Sequence, residues 1–441
     1  RDDSRQGRDG YEECKFNILW SNVQTLYSAT FARLPKPDVS RRFRDQDPVG
    51  RVAALILERA LDYEISHYPD YKTTIGQCVH DRFLGGRGSS WVRYEPHIRQ
   101  VEMSDGVSLT EDAEAEKEQE MQEEIDYECA PVDYVHWKDF GHSVARTWEE
   151  VTAVWRRVYL SRRACIERFG EEVGSSIPLD SRPDEDSKMK GESETDSKAC
   201  VYEIWDKDTS KALWISKSLS KVLDERDDPL ELEGFFPCPR PLYATITNES
   251  LVPLPDFTLY QDQARELDTL SDRIDGLVRS LKVRGVYDNS IPELSRLFSE
   301  GDNNSLIAVK NWTAFSEKNG LVGAIDLVDL RPIAEALREA YGAFEQVKSQ
   351  VYEITGISDI IRGQTQASET ATAQQIKGQY ASLRLRSYQE QVAQFATDIL
   401  RLKAQVICKH FAPETIVEMS AAQRLAESDQ QYIGHALQLL Q

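Results

Sequence analysis

"ITGISDIIRGQTQASETATAQQIKGQYASLRLRSYQEQVAQFATDILRLK" (354–403) sets two textures side by side. Its first part, to Glu369, is rich in Gly, Ser, Thr and Gln and carries the single cation Arg362. The rest spaces Ile376, Tyr380, Leu383, Tyr388, Val392, Phe395, Ile399, Leu402 and Val406 at mostly three and four residues, which predicts a helix over 370–411. At 1.5 Å per residue such a helix is about 60 Å long. A loose polar loop (356–369) directly before so regular a helix needs a reason.

Working outward, residues 331–355 repeat the helical pattern, with Ile333, Leu337, Tyr341, Phe344, Val347, Val351 and Ile354 as one apolar stripe. Residues 258–288 do the same through Tyr260, Ala264, Leu267, Leu270, Ile274, Leu277 and Leu281. Between them, 289–330 reads as a compact insert. A short helix is expected at 291–300 and strands at 305–312 and 320–330. A helix with one apolar stripe draws most of its stability from covering that stripe, and neighbouring copies of the chain are one place to do so. An oligomer is therefore expected.

The first 257 residues read as a mixed α+β region behind a charged arm, 1–16, that opens RDDSRQGRDGYEE. Asp47 and Pro48 suit the cap and first turn of a helix. A second helix is expected over about 70–84, ending at Gly85, and "SSWVRYEP" (89–96) as a strand. Residues 149–160 fit strand or helix, and 161–170 a short capped helix. Strands are expected at 201–207 and 211–216, and extended chain over 235–257. Two charged stretches interrupt this region. Residues 102–128 hold twelve acids against one Lys and read as a solvated helix or flexible insertion, with recruitment of a basic partner as the lesser reading. Residues 174–199 form a second polar insertion. The tail from Pro413 predicts one or two short helices.

Composition narrows the chemistry. With 441 residues, more than one substructure is expected. The first residue is Arg1, so an upstream segment is expected. No signal peptide and no apolar run of membrane-spanning length is visible. Seven scattered Cys with no C-x-x-C pair argue against zinc ribbons and disulfide scaffolds and fit a reducing cytosol. The formal charge of −22 argues against a tight sequence-reading DNA binder.

"FLGGRGSSW" (83–91) lacks the G-K-[ST] of a P-loop and reads as a helix-to-strand turn, with Gly85, Gly86 and Gly88 supplying positive φ and Arg87 a minor candidate for a partner contact. His136 and His142 lack a third ligand at metal spacing. Nothing marks Cys78 or Cys408 as an activated nucleophile. The cations in "RSLKVRG" (279–285) suit a helix C-terminus on general grounds. Neither an enzyme nor a cofactor or metal site is expected.

The chain resembles the portal proteins, or head-to-tail connectors, of tailed double-stranded DNA bacteriophages. The resemblance rests on residues 17–63, "DRFLGGRGSSWVRYEP" (81–96), "VYEIWDK" (201–207), "FFPCPRPL" (235–242) and above all "VYEITGISDIIRGQTQASETATAQQIKG" (351–378), in that order. It implies an α+β portal fold. Its parts would be a wing (17–257), two stem helices (258–288 and 331–355), a clip (289–330), a channel loop (356–369), a long kinked wing helix (370–411) and the start of a crown (412–441). The last is short for the crown many portals carry.

The resemblance also implies a ring, usually of twelve copies, at one vertex of the virion capsid, assembled in the host cytoplasm. Double-stranded DNA would be packaged and ejected through it without sequence specificity. Implied partners are the terminase large subunit, head-to-tail adaptor and tail proteins, and the major capsid and scaffolding proteins, with no membrane. Arg362, Gln364, Thr365, Gln366 and Ser368 would approach the DNA backbone. Glu293, Arg296, Lys310 and Trp312 in the clip would help dock the motor and later the adaptor. A packaging ATPase would need a Walker A loop, which this sequence lacks. A DNA-independent helical scaffold or adaptor would explain the striped helices but not the ordered blocks.

Overall fold

Asp47 begins the second helix as its composition demands. Its carboxylate accepts hydrogen bonds from Val49 N (3.1 Å) and Gly50 N (3.2 Å), while Pro48 fills the first turn, where no donor is needed. The computed structural model describes residues 14–31, 35–41, 43, 47–102, 121–182, 197–219, 221–281, 285–287, 325–327, 329–357 and 371–441. The helices and strands run α1 (Ile18–Thr30), α2 (Pro48–His67), α3 (Asp70–Leu84), β1 (Arg87–Val92), β2 (Glu95–Glu102), β3 (Met121–Cys129), β4 (Val132–Val135), β5 (Phe140–His142), β6 (Ala153–Leu160) and α4 (Arg162–Ser176). They continue β7 (Ala199–Asp206), β8 (Lys211–Ser216), β9 (Val222–Asp227), β10 (Leu242–Tyr243), β11 (Thr245–Thr247), β12 (Ser250–Leu254), α5 (Gln261–Ser280), β13 (Gly285–Tyr287) and β14 (Ile325–Leu327). Last come α6 (Arg331–Thr355), α7 (Ala371–His410), α8 (Pro413–Ser420), α9 (Glu427–Gln430) and α10 (Ile433–Leu440). The fold is mixed α+β. The chain forms two units, residues 1–21 with 259–358 and residues 22–258 with 359–441.

The larger unit is built on two antiparallel sheets. One has the order β10-β1-β4, and the other is the five-stranded β5-β6-β7-β8-β9. Along β7 the side chains of Val201, Glu203 and Trp205 alternate inward, because successive strand residues face opposite sides. Glu203 is thereby carried into the core. Its Oε1 accepts the indole N–H of Trp91 (3.2 Å) and of Trp205 (3.0 Å), and its Oε2 accepts Arg156 Nε (2.7 Å). Arg156 also donates to Asp133 (2.7 Å) and lies 4.9 Å over the Trp91 ring. Arg93 closes the group with two hydrogen bonds to Asp133 (2.6 and 3.1 Å). Trp91, Arg93 and Asp133 belong to the three-stranded side and Arg156, Glu203 and Trp205 to the five-stranded side, so one hydrogen-bonded cluster joins the sheets.

Helix α3 covers the three-stranded sheet, α2 packs beside α3, and the C-terminal half of α7, where Phe395, Ile399, Val406 and Ile407 are buried, contacts α2 and strands β1 and β10. Inside that helical layer Lys403 is fully buried, 3.5 Å from Glu64 and 3.6 Å from Asp70. Glu64 and Asp70 also accept the backbone N–H groups of Ala130 (2.6 Å) and Val132 (2.7 Å). Helices α8 and α10 lie over α2. α4 starts at Ser161, whose hydroxyl accepts Ala164 N (3.3 Å), and covers Cys165, Ile177 and Ala199.

Several expectations change. Residues 121–128, read as helix or insertion, lie in strand β3, where Ile125 and Tyr127 are β-formers at alternate positions. "SSWVRYEP" divides into the end of β1 and the start of β2. Of the segment 149–160, Ala153–Leu160 is strand β6, paired along its length with β7, and Glu149 and Glu150 belong to a 3-10 turn that starts at Trp148. In the glycine turn only Gly86 has positive φ (83°). Gly88 is required by close approach instead: a Cβ there would sit 2.0 Å from the Cys78 carbonyl oxygen. Arg87 turns inward and donates to the Trp137 and Phe140 carbonyls, so its contact lies within the chain. The helix expected at 161–170 runs on to Ser176, with Gly170 at φ 81° marking a break inside it. α7 is helical at every position from Ala371 to His410.

Removing one partner of a buried ion pair leaves the other charge uncompensated. Arg156→Ala is expected to cost about 3–5 kcal/mol in denaturant unfolding, and Arg156→Met with Glu203→Gln less, because the stranded carboxylate is gone. A second outcome concerns acid. Burial pushes the Asp133 carboxyl up, but Arg156 and Arg93 outweigh it and bring it below the usual range. Its contribution is thus present above about pH 4 and lost as pH falls through the depressed folded-state value. Asp133→Asn is expected to flatten the acid limb of a pH-stability profile followed by circular dichroism; an unchanged limb refutes the assignment.

Candidate functional site at the helical hairpin

In the smaller unit, α5 and α6 pack together, and the strand pair β13–β14 joins their ends with Gly285 opposite Leu327, Val286 opposite Asp326 and Tyr287 opposite Ile325. Phe16 is the pin. Its N–H donates to Asp268 on α5 (2.8 Å), and its ring meets Phe344 of α6 edge-on at 5.0 Å. Asp268 lies as far back from the end of α5 as Phe344 lies along α6 from its start, to within a residue, so the helices run antiparallel as a hairpin.

The stripes meet inside the hairpin. Tyr260, Ala264, Leu267 and Leu270 of the α5 side are buried, with Ile274, Leu277 and Leu281 half-buried towards the β13–β14 end. On α6 the inward set is Ile333, Leu337, Ala340, Phe344, Val347 and Val351, an alternation of four and three that keeps one seam facing the partner helix. The expected stripe is corrected at two positions. Ala340 takes the seam where Tyr341 was expected, because its small side chain lets the helices approach, and Tyr341 is 50% exposed. Ile354 is exposed as well. The stripes therefore find their cover within one chain, which the argument from neighbouring copies did not foresee. Outward-facing apolar residues remain at Val278, Tyr341 and Ile354.

The rest of the surface is charged. α5 carries five carboxylates against three arginines and α6 four against three cations. Exposed pairs such as Arg279–Asp275 (2.9 Å) and Lys348–Glu345 (3.2 Å) knit each helix to itself and contribute little stability. Arg279, from the basic cluster, is thus paired within its own helix.

α6 stops at Gly356, which sits in the left-handed region at φ 70°. Thr355 hydroxyl donates back to Val351 O (2.8 Å), and Ile357 folds in fully buried behind the glycine. A left-handed glycine followed by a buried apolar residue is a helix stop, so the chain leaves α6 abruptly at the start of the polar loop. Arg362, Gln364, Thr365, Gln366 and Ser368 of that loop lie outside the described residues, as do Glu293, Arg296, Lys310 and Trp312 of the insert, its helix at 291–300 and its strand at 305–312. Of the strand expected at 320–330, Ile325–Leu327 is described as β14.

Elsewhere the side chains that might have carried chemistry are engaged structurally. His142 sits 2.8 Å from Ser143 O through Nδ1, and burial lowers its pKa. Burial raises the thiols of Cys78 and Cys408, the opposite of activation. Among the described residues no group of three His, Cys, Asp or Glu is placed to hold a metal ion, and no helix is long and apolar enough to cross a membrane. Sequence reasoning missed Phe16 altogether; its signal was an aromatic residue at the very end of the charged arm. Compared with known proteins, the chain matches no family model and no curated protein.

The hairpin stands on its seam. Leu267→Ala is expected to cost about 3 kcal/mol through the cavity left behind, and Tyr341→Ala well under 1 kcal/mol. Gly356→Ala should cost roughly 1–2 kcal/mol from the left-handed backbone, read as a loss of helical signal on denaturant titration. Equal effects of the Leu267 and Tyr341 changes would show that the seam is misplaced.

Proposed function

We propose that the protein is a portal: a ring of identical chains forming a channel at one capsid vertex, through which double-stranded DNA enters and later leaves. One observation carries the reading. An amphipathic helical hairpin closed by a small strand pair ends at a left-handed glycine, and after a stretch of polar sequence a 40-residue helix follows. Together with the sequence resemblance, that order supports a stem (α5 and α6), a clip between them, a channel loop and a long wing helix.

The physical argument concerns sliding. Each phosphate neutralised by a bound cation adds counterion-release affinity, so a strongly basic lumen traps DNA. The helices of this hairpin carry an excess of acid, and the chain a formal charge of −22. A lumen of such surfaces grips weakly and lets DNA pass. Gln364, Thr365, Gln366 and Ser368 offer exchangeable hydrogen bonds to phosphates, and Arg362 adds one cation per copy to a polar constriction. Val278, Tyr341 and Ile354, left outward by the hairpin seam, suit contact with an adjacent stem. The clip residues Glu293, Arg296, Lys310 and Trp312 would dock the packaging motor and then the tail adaptor. The reaction is mechanical on the portal's side, and the motor supplies the energy.

Electron microscopy of the purified protein is expected to show rings with a central hole of about 20–40 Å, enough for a duplex whose grooves alone are about 12 and 6 Å wide. Particles without a hole refute the proposal. Arg362→Ala with Gln364→Ala should leave rings intact and impair DNA packaging or retention. Normal packaging and retention by that variant would remove the loop from the mechanism.

A further inference from the structure

The two-stranded ribbon β2–β3 in the larger unit presents a surface that neither the core nor the proposed channel uses. Its root is well held. Cys129 is buried, Glu128 accepts Tyr94 Oη (2.6 Å) and Ala412 N (2.8 Å), and the next residue, Ala130, donates its N–H to Glu64 (2.6 Å). Beyond the root the ribbon continues for several more residue pairs, to Glu102 opposite Met121. Among the described residues no third strand pairs with either edge. A lone two-stranded hairpin is marginal in water, and open edges invite a partner.

The ribbon also carries an apolar pair in the open. Ile98 lies directly opposite Ile125 in the register, and the two are 56% and 48% exposed. Opposed residues share a face and touch, so these are one patch rather than two scattered side chains. A single exposed isoleucine needs no explanation; a cross-strand pair beyond the held root of a two-stranded ribbon does.

Charge decides the occupant. The two strands hold six acids against one arginine; Glu128 is engaged in the root and Glu95 pairs with Arg93 (3.2 Å), which leaves Glu102, Glu123, Glu124 and Asp126 in excess over Arg99. A second copy meeting this face would bring acid against acid in a protein already at −22, and a nucleic acid would be repelled as well. We infer that the Ile98–Ile125 face of the ribbon docks a basic protein partner, whose apolar side chains cover the isoleucines while its cations complement the acidic strands. The inference does not depend on the portal reading.

The test uses a fluorescein-labelled peptide of alternating lysine and valine, seven residues long, with two controls: lysine alternating with serine, and glutamate alternating with valine. Anisotropy should show the lysine–valine peptide binding the intact protein roughly tenfold tighter than the lysine–serine peptide, and the glutamate–valine peptide not at all. Ile98→Thr with Ile125→Thr keeps β-branched side chains on an exposed face, so the fold should survive, as an unchanged melting temperature would show. That variant should lose roughly tenfold in affinity for the lysine–valine peptide. Equal binding of the two lysine peptides, or an unaltered affinity of the double variant, would reduce the contact to diffuse charge and overturn the proposal. A change in oligomeric state of the double variant by sedimentation would assign the face to a second copy and overturn it equally.

Discussion

A carboxylate in a core must be compensated several times over, and Glu203 is. It receives two indole N–H groups and one guanidinium, and the guanidinium is shared with Asp133 on the other sheet. Taking Glu203 and Arg156 out of water costs several kcal/mol each, and only such complete pairing offsets it. The cluster therefore specifies how the sheets meet more than it adds stability. Trp91, Trp205 and Phe235 pack about it edge to face, so apolar burial and polar pairing occupy the same place. The buried Lys403 with Glu64 and Asp70 repeats the solution in the helical layer.

The hairpin follows a different rule. Among the described residues no buried ion pair lies along its seam, and its order comes from apolar spacing, one inserted aromatic and a left-handed stop. Its outward surfaces are charged and locally self-paired. A rigid rod with a wet exterior and a sharp end suits the lining of a passage, whereas the polar core of the larger unit suits a body that must hold its shape under load. In the portal reading the hairpin would line the conduit, while the larger unit would supply its anchorage and the loop residues from 359 onward.

Thiols raised by burial, a histidine bonded to the adjacent carbonyl and arginines tied to backbone oxygens are all engaged in holding the chain together. The ribbon is the exception, since among the described residues its isoleucine pair is left exposed.

Much of the helical framework was legible in the sequence because its causes are local. Asp47–Pro48 marks a start, Gly356 a stop, and Leu267, Val347 and Val351 keep a period that only a helix satisfies. The polar loop and the insert could be located by contrast with those helices. Contacts between distant residues decided the rest. No spacing announces that Glu203 will be buried, since an acid on an alternating strand reads as an outward position until Trp91, more than a hundred residues away, supplies a donor. Nor could periodicity choose Ala340 over Tyr341, or place Phe16 between two helices far along the chain, because both depend on how closely α5 and α6 approach. Local hydrogen bonding and apolar period determine the elements, and the volume left between them determines which side chains turn inward.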